Sequence, residues 1–261
     1  MSKLFQNTSL VPRIIACMDV AYGRVVKGTN FKQLLDMGDP IEMGLQYQHQ
    51  GADELVFLDI KASVDKQNSA LSLVSKVAKT LSIPFTVGGG LKVLSDVDKF
   101  FNAGADKVTL NTAAIENPEL ISSIANKYGS QSLIVAVDVN LESNGELVLY
   151  THGGSKRVNN IQYNQWMSEV ISRGAGEIMI NAMHKDGTGS GFDLDLLKQD
   201  NFPLPIIASG GANGPKDFLD AINAGADAVL AAGIFHRGEY TVEQIKNYLI
   251  QNNIKMRTQS C

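Results

Sequence analysis

Short apolar runs of β-forming residues alternate along this chain with stretches whose apolar positions recur at helical spacing. The runs IIACMDV (14–20), ELVFLDI (54–60), PFTVGGG (84–90), DKVTLNT (106–112), LIVAVDV (133–139), EIMINAM (177–183), PIIASGG (205–211) and DAVLAAG (227–233) read as eight strands. Helical segments between them include DPIEMGLQYQHQ (39–50), NPELISSIANKYG (117–129) and GPKDFLDAINAG (214–225). The first two open with Asp-Pro and Asn-Pro, a capping residue ahead of a proline at the first helical position. Strands that alternate with helices must run parallel, and eight such units close on themselves. The pattern therefore predicts an α/β fold, a (β/α)8 TIM barrel, with an open doubly wound sheet as the alternative. A single barrel domain is expected over 1–261, with residues 1–12 as an N-terminal extension to which no role is assigned.

The chain also repeats itself. IPFTVGGGLK (83–92) returns as LPIIASGGAN (204–213), and NAGAD at 102–106 returns at 223–227. Gly89 and Gly210 are 121 residues apart, as are Asn102 and Asn223; Asp19 and Asp138 are 119 apart, and Gly51 and Gly174 are 123 apart. Four landmarks sharing an offset near 120 predict a half-barrel internal repeat. The glycine runs then end strands three and seven, and the aspartates end strands one and five.

In such a barrel chemistry gathers at the carboxyl ends of the strands. Glycines there let backbone N–H groups approach an anion, although they also serve simply to turn a strand into a loop. Two symmetry-related runs, with Asn111 and Thr112 and then Ala232 and Gly233 ending the neighbouring strands, favour two phosphate sites and a substrate with a phosphate at each end. Asp19 and Asp138 lie between them, each the polar end of an apolar strand. Two carboxylates across one mouth can divide acid and base roles if their surroundings separate their pKa values; otherwise they cap helices or pair with a loop lysine such as Lys27.

At the other ends of the strands stand Arg13, Glu54, Lys107 and Glu177. Alternation puts Arg13 on the face of Asp19 and Lys107 on the face of Asn111, so inward-facing charges would ring the barrel floor and have to pair. Without further information, charges directed into solvent are the default. Cys17 reads as a small buried side chain, and GSGFD (189–193) is only a fragment of a glycine fingerprint. His49, His152, His184 and His236 lack ligand spacing, so neither a metal nor a cofactor is expected.

Composition narrows the setting. Hydrophobic residues make up 44% and charged residues 19%, which is ordinary for a folded domain and leaves material for a large core. A net charge of −4 provides no basic stripe, which argues against nucleic acid as partner. No apolar run is long enough for a membrane span or a signal peptide, and two distant cysteines, Cys17 and Cys261, fit a reducing compartment. A cytoplasmic protein is expected.

The motifs RIIACMDV, GRVVKGTNF, GADELVFLDI, FTVGGG, GADKVTLNTAA, YTHGG, DGT, IIASGGA and GADAVLAAGIFH together resemble the HisF family, the cyclase subunits of imidazole glycerol phosphate synthase, from about residue 12 to nearly the C-terminus. The resemblance implies an enzyme of histidine biosynthesis that receives ammonia from a glutaminase subunit, HisH. It would convert phosphoribulosyl-formimino aminoimidazole carboxamide ribonucleotide (PRFAR) to imidazole glycerol phosphate and an aminoimidazole carboxamide ribotide (AICAR). By motif, Asp19 and Asp138 become the catalytic acid and base, and Lys27 lies on the first loop. Asn181 and Asp186 join the substrate-facing set. Gly89, Gly90, Asn111 and Thr112 form one phosphate site, and Gly210, Gly211, Ala232 and Gly233 the other. Arg13, Glu54, Lys107 and Glu177 become a charged ammonia gate beside the partner interface, with Asp106 a contact to the glutaminase, and the outward default for the ring is replaced.

The chain departs from this family at several places. IIACMD stands where IIPCLD is usual. Asn181 and Ala182 replace a hydroxyl-bearing pair, so Asn181 can donate to a phosphate and Ala182 cannot. His184 replaces an acid or amide. Gly233 replaces a serine, which predicts a weaker second phosphate site or one satisfied differently. Three alternative functions share parts of the pattern: the sister ProFAR isomerase, HisA; a paralogue supplying ammonia for amidino-sugar synthesis; and a non-catalytic scaffold that activates a glutaminase. The floor charges, GRVVKGTNF and YTHGG speak for the cyclase over the isomerase, and intact Asp19, Lys27 and Asp138 speak against the other two.

Overall fold

Strand β1 (Arg13–Ala21) pairs in parallel with β4 (Glu54–Asp59) on one side and with β12 (Ala228–Ala231) on the other, and that last pairing closes the sheet. The structure is a computed structural model and describes residues 10–29, 32–59, 67–199 and 202–258. Around the closed sheet β4 is followed by β5 (Phe85–Gly88), β6 (Lys107–Leu110), β7 (Leu133–Leu141), β10 (Glu177–Ala182), β11 (Ile206–Ser209) and β12, every neighbour parallel. This is the expected eight-stranded (β/α)8 barrel. All eight predicted strands form, within two residues of their expected ends.

Two antiparallel excursions were not anticipated. The chain leaves β1 into a hairpin of β2 (Arg24–Thr29) and β3 (Lys32–Gly38), and leaves β7 into β8 (Leu147–Thr151) and the short β9 (Lys156–Arg157). Both follow an aspartate strand, so the half-barrel repeat extends into the rim: Asp19 faces Val26 across one excursion and Asp138 faces Tyr150 across the other.

Among the described residues the helices are α1 (Pro40–His49), α2 (Gln67–Thr80), α3 (Leu94–Ala103), α4 (Thr112–Glu116), α5 (Glu119–Tyr128), α6 (Tyr163–Ser172), α7 (Leu194–Gln199), α8 (Pro215–Asn223), α9 (Gly233–His236) and α10 (Val242–Gln251). Asp39 caps α1 as its sequence predicts, accepting the N–H groups of Ile41 and Glu42 ahead of Pro40. Asn117 does not cap α5 with its side chain. It ends the short α4, and Pro118 takes the cap position. Among the described residues no helix is long and apolar enough to cross a membrane.

Alternation along the strands divides the core in two. Ile14, Ala16, Met18 and Val20 face the helices within one large cluster. Ile15 and Cys17 face the bore, where they pack with Val56, Ile134, Met179, Ile207, Ala228 and Leu230. Cys17 is a buried apolar filler, as expected. Residues 1–9 of the expected extension and Cys261 lie outside the described residues.

Candidate active site

At the amino ends of the strands the four charges turn inward and pair in a closed ring. Arg13 donates to Glu54 at 2.6 Å and to Glu177; Lys107 donates to Glu177 at 2.6 Å and to Glu54 at 3.1 Å. Each charge meets two opposite ones, which is what permits Glu54 and Glu177 to be buried. Burial alone would raise the Glu177 carboxyl, but hydrogen bonds and attraction from Arg13 and Lys107 hold it below the usual range. Asp106, beside the ring, is exposed, and its Oδ2 accepts the backbone N–H of Phe85 at 2.9 Å.

A polar ladder climbs one wall of the bore from this ring. Thr86 lies beside Lys107 in register, and Gly88 beside Thr109. A Cβ on Gly88 would lie 2.3 Å from Thr109 Cγ2 and 2.8 Å from Leu58 Cδ2, which puts Thr109 on the inner face. The hydroxyls of Thr86 and Thr109 are buried and have no hydrogen-bond partner among the described residues, and Asn111 follows two residues above.

At the carboxyl ends stand the two aspartates. Burial is the main cause that raises Asp19, to a pKa of about 6; Lys27 draws it down and Asp186 pushes it up. Burial also raises Asp138, but there two amides oppose it: Asn181 Nδ2 donates to Oδ1 at 3.0 Å and Asn111 Nδ2 to Oδ2 at 2.7 Å. Asn181, considered above as a phosphate donor, thus gives its amide N–H to Asp138. Asp186 lies in the turn after β10, where its N–H and that of Lys185 donate to the carbonyl of Ala182.

The glycine runs lie on the same face. Gly89, Gly90, Gly210 and Gly211 all have positive φ, between 70° and 102°. Around the second run space is tight: a Cβ on Gly210 would lie 2.8 Å from the Ala182 carbonyl oxygen, and one on Gly211 2.2 Å from that of Gly191. Gly191 belongs to the GSGFD fragment, and its N–H donates to Gly211 at 2.9 Å, so that fragment walls the glycine loop. On the first side Asn111 and Thr112 begin α4, with Thr112 Oγ1 accepting the N–H of His152 at 2.8 Å. On the second side Ala232 and Gly233 begin α9.

Arg237 escaped the sequence reading. An added Cβ on Gly233 would lie 2.6 Å from Arg237 Nη1, so the guanidinium occupies the space a serine side chain would need. The signal was present in the spacing, because a helical side chain leans toward the residue four positions before it. His184 also acquires a definite place: its Nε2 meets Asp193 at 2.8 Å and its Nδ1 the N–H of Leu141 at 3.3 Å, tying the segment after β10 to the end of β7. His236 hydrogen-bonds Tyr47 at 2.6 Å, and burial depresses its pKa to about 4. Among the described residues no cluster of three metal-ligating side chains forms.

The arrangement is a barrel mouth with two inequivalent carboxylates between two glycine cradles, joined by a polar wall to a paired charge ring at the floor. A model of the histidine biosynthesis protein family matches residues 13–241. The chain is 49% identical over 250 residues to the imidazole glycerol phosphate synthase subunit HisF of Thermotoga sp. (strain RQ2), covering 95% of this chain and 98% of that one. It is 47% identical over 251 residues to the same-named subunits of Thermococcus onnurineus (strain NA1) and Pyrococcus furiosus, covering 95% of this chain and 98% and 99% of theirs. The chain belongs to the histidine biosynthesis protein family, among the HisF subunits of imidazole glycerol phosphate synthase.

Proposed function

We propose that the chain is an ammonia-using cyclase that converts PRFAR to imidazole glycerol phosphate and AICAR, working in the cytoplasm with a HisH glutaminase docked on the barrel floor. The observation that carries this reading is the pair Asp19 and Asp138, held between two glycine cradles in a chain 47–49% identical to HisF subunits. Adding ammonia to a carbon and closing a ring requires a proton to be removed from nitrogen and another to be delivered to the departing group. A carboxyl with a pKa of about 6 holds and releases a proton near neutral pH, which suits Asp19 to that exchange. Asp138, an acceptor for two amides, suits the complementary base role. Gly89 and Gly90 with Asn111 and Thr112 receive one phosphate; Gly210 and Gly211 with Ala232 and Gly233 receive the other. Lys27 covers the substrate from the β1 side, and Asp186 faces it from the segment after β10.

The floor ring supports the docking side of the reading. Four paired charges close the bore at the end opposite the aspartates, and the Thr86 and Thr109 hydroxyls line a polar route for ammonia between the two. Turnover of PRFAR by the isolated chain with an ammonium salt, beside an Asp19→Asn variant, tests the proposal. Turnover by the unaltered chain and its loss in the variant are expected. No turnover despite binding of the bisphosphate would overturn the cyclase reading.

A further inference from the structure

The half-barrel repeat is broken at two places around the aspartates. Asn111 Nδ2 and Asn181 Nδ2 hold the two oxygens of Asp138 at 2.7 and 3.0 Å. Asn181 is the register neighbour of Asp138 on β10, as Leu58 is of Asp19 on β4. Asn111 and Ala232, 121 residues apart, stand at equivalent positions after β6 and β12. Leu58 and Ala232 pack against the apolar cluster of the bore. One aspartate therefore has amides where the other has hydrocarbon.

The Asn181 amide is itself fixed. Ser209 Oγ, on the next strand, donates to Asn181 Oδ1 at 3.4 Å, which turns the Nδ2 side toward Asp138. Asn111 Nδ2 also donates to the carbonyl of Tyr150 at 3.3 Å, on the hairpin strand paired with β7. Resting on the cyclase reading above, we infer that Asn181 is a positioning residue for Asp138: its amide, oriented by Ser209, fixes the carboxylate in the bore and favours its ionised form. Asn181 then acts through Asp138 and not on a phosphate. The charged group that acts on Asp138 among the described residues is Asp186, which opposes ionisation, while Tyr150 turns its hydroxyl away to Glu142 at 3.1 Å.

The test combines kinetics with a readout that needs no turnover. In the full chain, Asn181→Ala is expected to lower kcat with ammonium about tenfold or more while KM for the bisphosphate changes by less than about threefold, because a hydrogen bond to a charged group is lost and no substrate contact is. The acid limb of the rate, expressed per unprotonated ammonia, moves to higher pH. Carbon-13 NMR titration of labelled aspartate carboxyls, with Asp138→Asn identifying the signal, is expected to show Asp138 titrating at higher pH in Asn181→Ala than in the unaltered chain. Ser209→Ala should produce a smaller shift in the same direction. A raised KM with unchanged kcat and an unmoved Asp138 titration would overturn the inference. Because the NMR titration is independent of substrate, it decides the inference even if the unaltered chain fails to turn over PRFAR, the result that sinks the cyclase reading instead.

Discussion

Lys246 on α10 donates to Asp53 at 2.8 Å, and both residues are buried. The other oxygen of Asp53 accepts the N–H of Ile14 at 2.8 Å, and Lys246 also donates to the carbonyl of Arg257 at 3.0 Å. Asp53 and Ile14 immediately precede and follow members of the floor ring, Glu54 and Arg13. The pair therefore ties the C-terminal helix and the chain after it to the strand ends that carry the ring. Removing one partner leaves the other charge buried without compensation, so Lys246→Met should cost about 3 kcal/mol of stability. Asp53→Asn, which keeps an acceptor for Ile14, should cost less, and the double variant should fall short of the sum. Urea unfolding of the four proteins measures the coupling; full additivity would show the pair contributes nothing beyond its parts.

The raised pKa of Asp19 is expected to make activity and stability pull apart. Between the usual value of 3.8 and about 6 the folded chain keeps a proton that the unfolded chain has lost. Stability consequently falls as pH rises through that window and stays lower above it, by roughly 2–3 kcal/mol. Asp19→Asn is expected to abolish ammonium-dependent turnover and yet to unfold at higher denaturant than the unaltered chain at pH 8. The gain should shrink to near zero by pH 4. A stability difference that did not change with pH would mean Asp19 is not the group that titrates.

Eight strands and their closure were legible because periodicity and the 121-residue offset act at different scales and agree. The two hairpins were not. GRVVKG and ELVLYT are short, lie at the rim, and take their strand form from pairing with the ends of β1 and β7, which no local pattern encodes. The floor charges could be placed on the inner face by alternation, but pairing depends on Arg13 and Lys107 reaching across the bore from strands far apart in sequence. Asn181 shows the limit most clearly. Its type allowed several partners, and only the register of β10 on β7 puts it beside Asp138.

The second glycine cradle is expected to rely on Arg237. Its guanidinium lies against the position of a Gly233 side chain and is braced by Glu239 through contacts of 2.5 and 3.2 Å. Arg237→Ala should raise KM for the bisphosphate about tenfold with little change in kcat, since a charge-assisted hydrogen bond to substrate is lost. Gly233→Ser alone would force the guanidinium aside, whereas Gly233→Ser with Arg237→Ala gives a hydroxyl room to donate. Recovery of KM in the double variant is the expected outcome. An unchanged KM in Arg237→Ala would place the guanidinium outside the phosphate's reach.

Variants of the floor ring should separate turnover with glutamine from turnover with an ammonium salt. Reversing charge at Lys107 leaves Arg13 as the cation paired with Glu54 and Glu177 among the described residues and adds a third acid to the ring. If the glutaminase docks there, Lys107→Glu should weaken the complex at least tenfold and reduce glutamine-dependent turnover in parallel, because reversing a charge at a docking face sets like charges against the groups that recognise it. Turnover with an ammonium salt should fall much less, since Asp19 and Asp138 lie at the other end of the bore. Asp106 supplies the control for structure. Asp106→Asn keeps an oxygen for the Phe85 N–H and should leave the fold intact, whereas Asp106→Lys should both lose that bond and oppose docking. Titration of the purified glutaminase against each variant, followed by both assays, distinguishes the cases. Equal losses in the two assays would mean that the ring serves the barrel's own stability and not the delivery of ammonia.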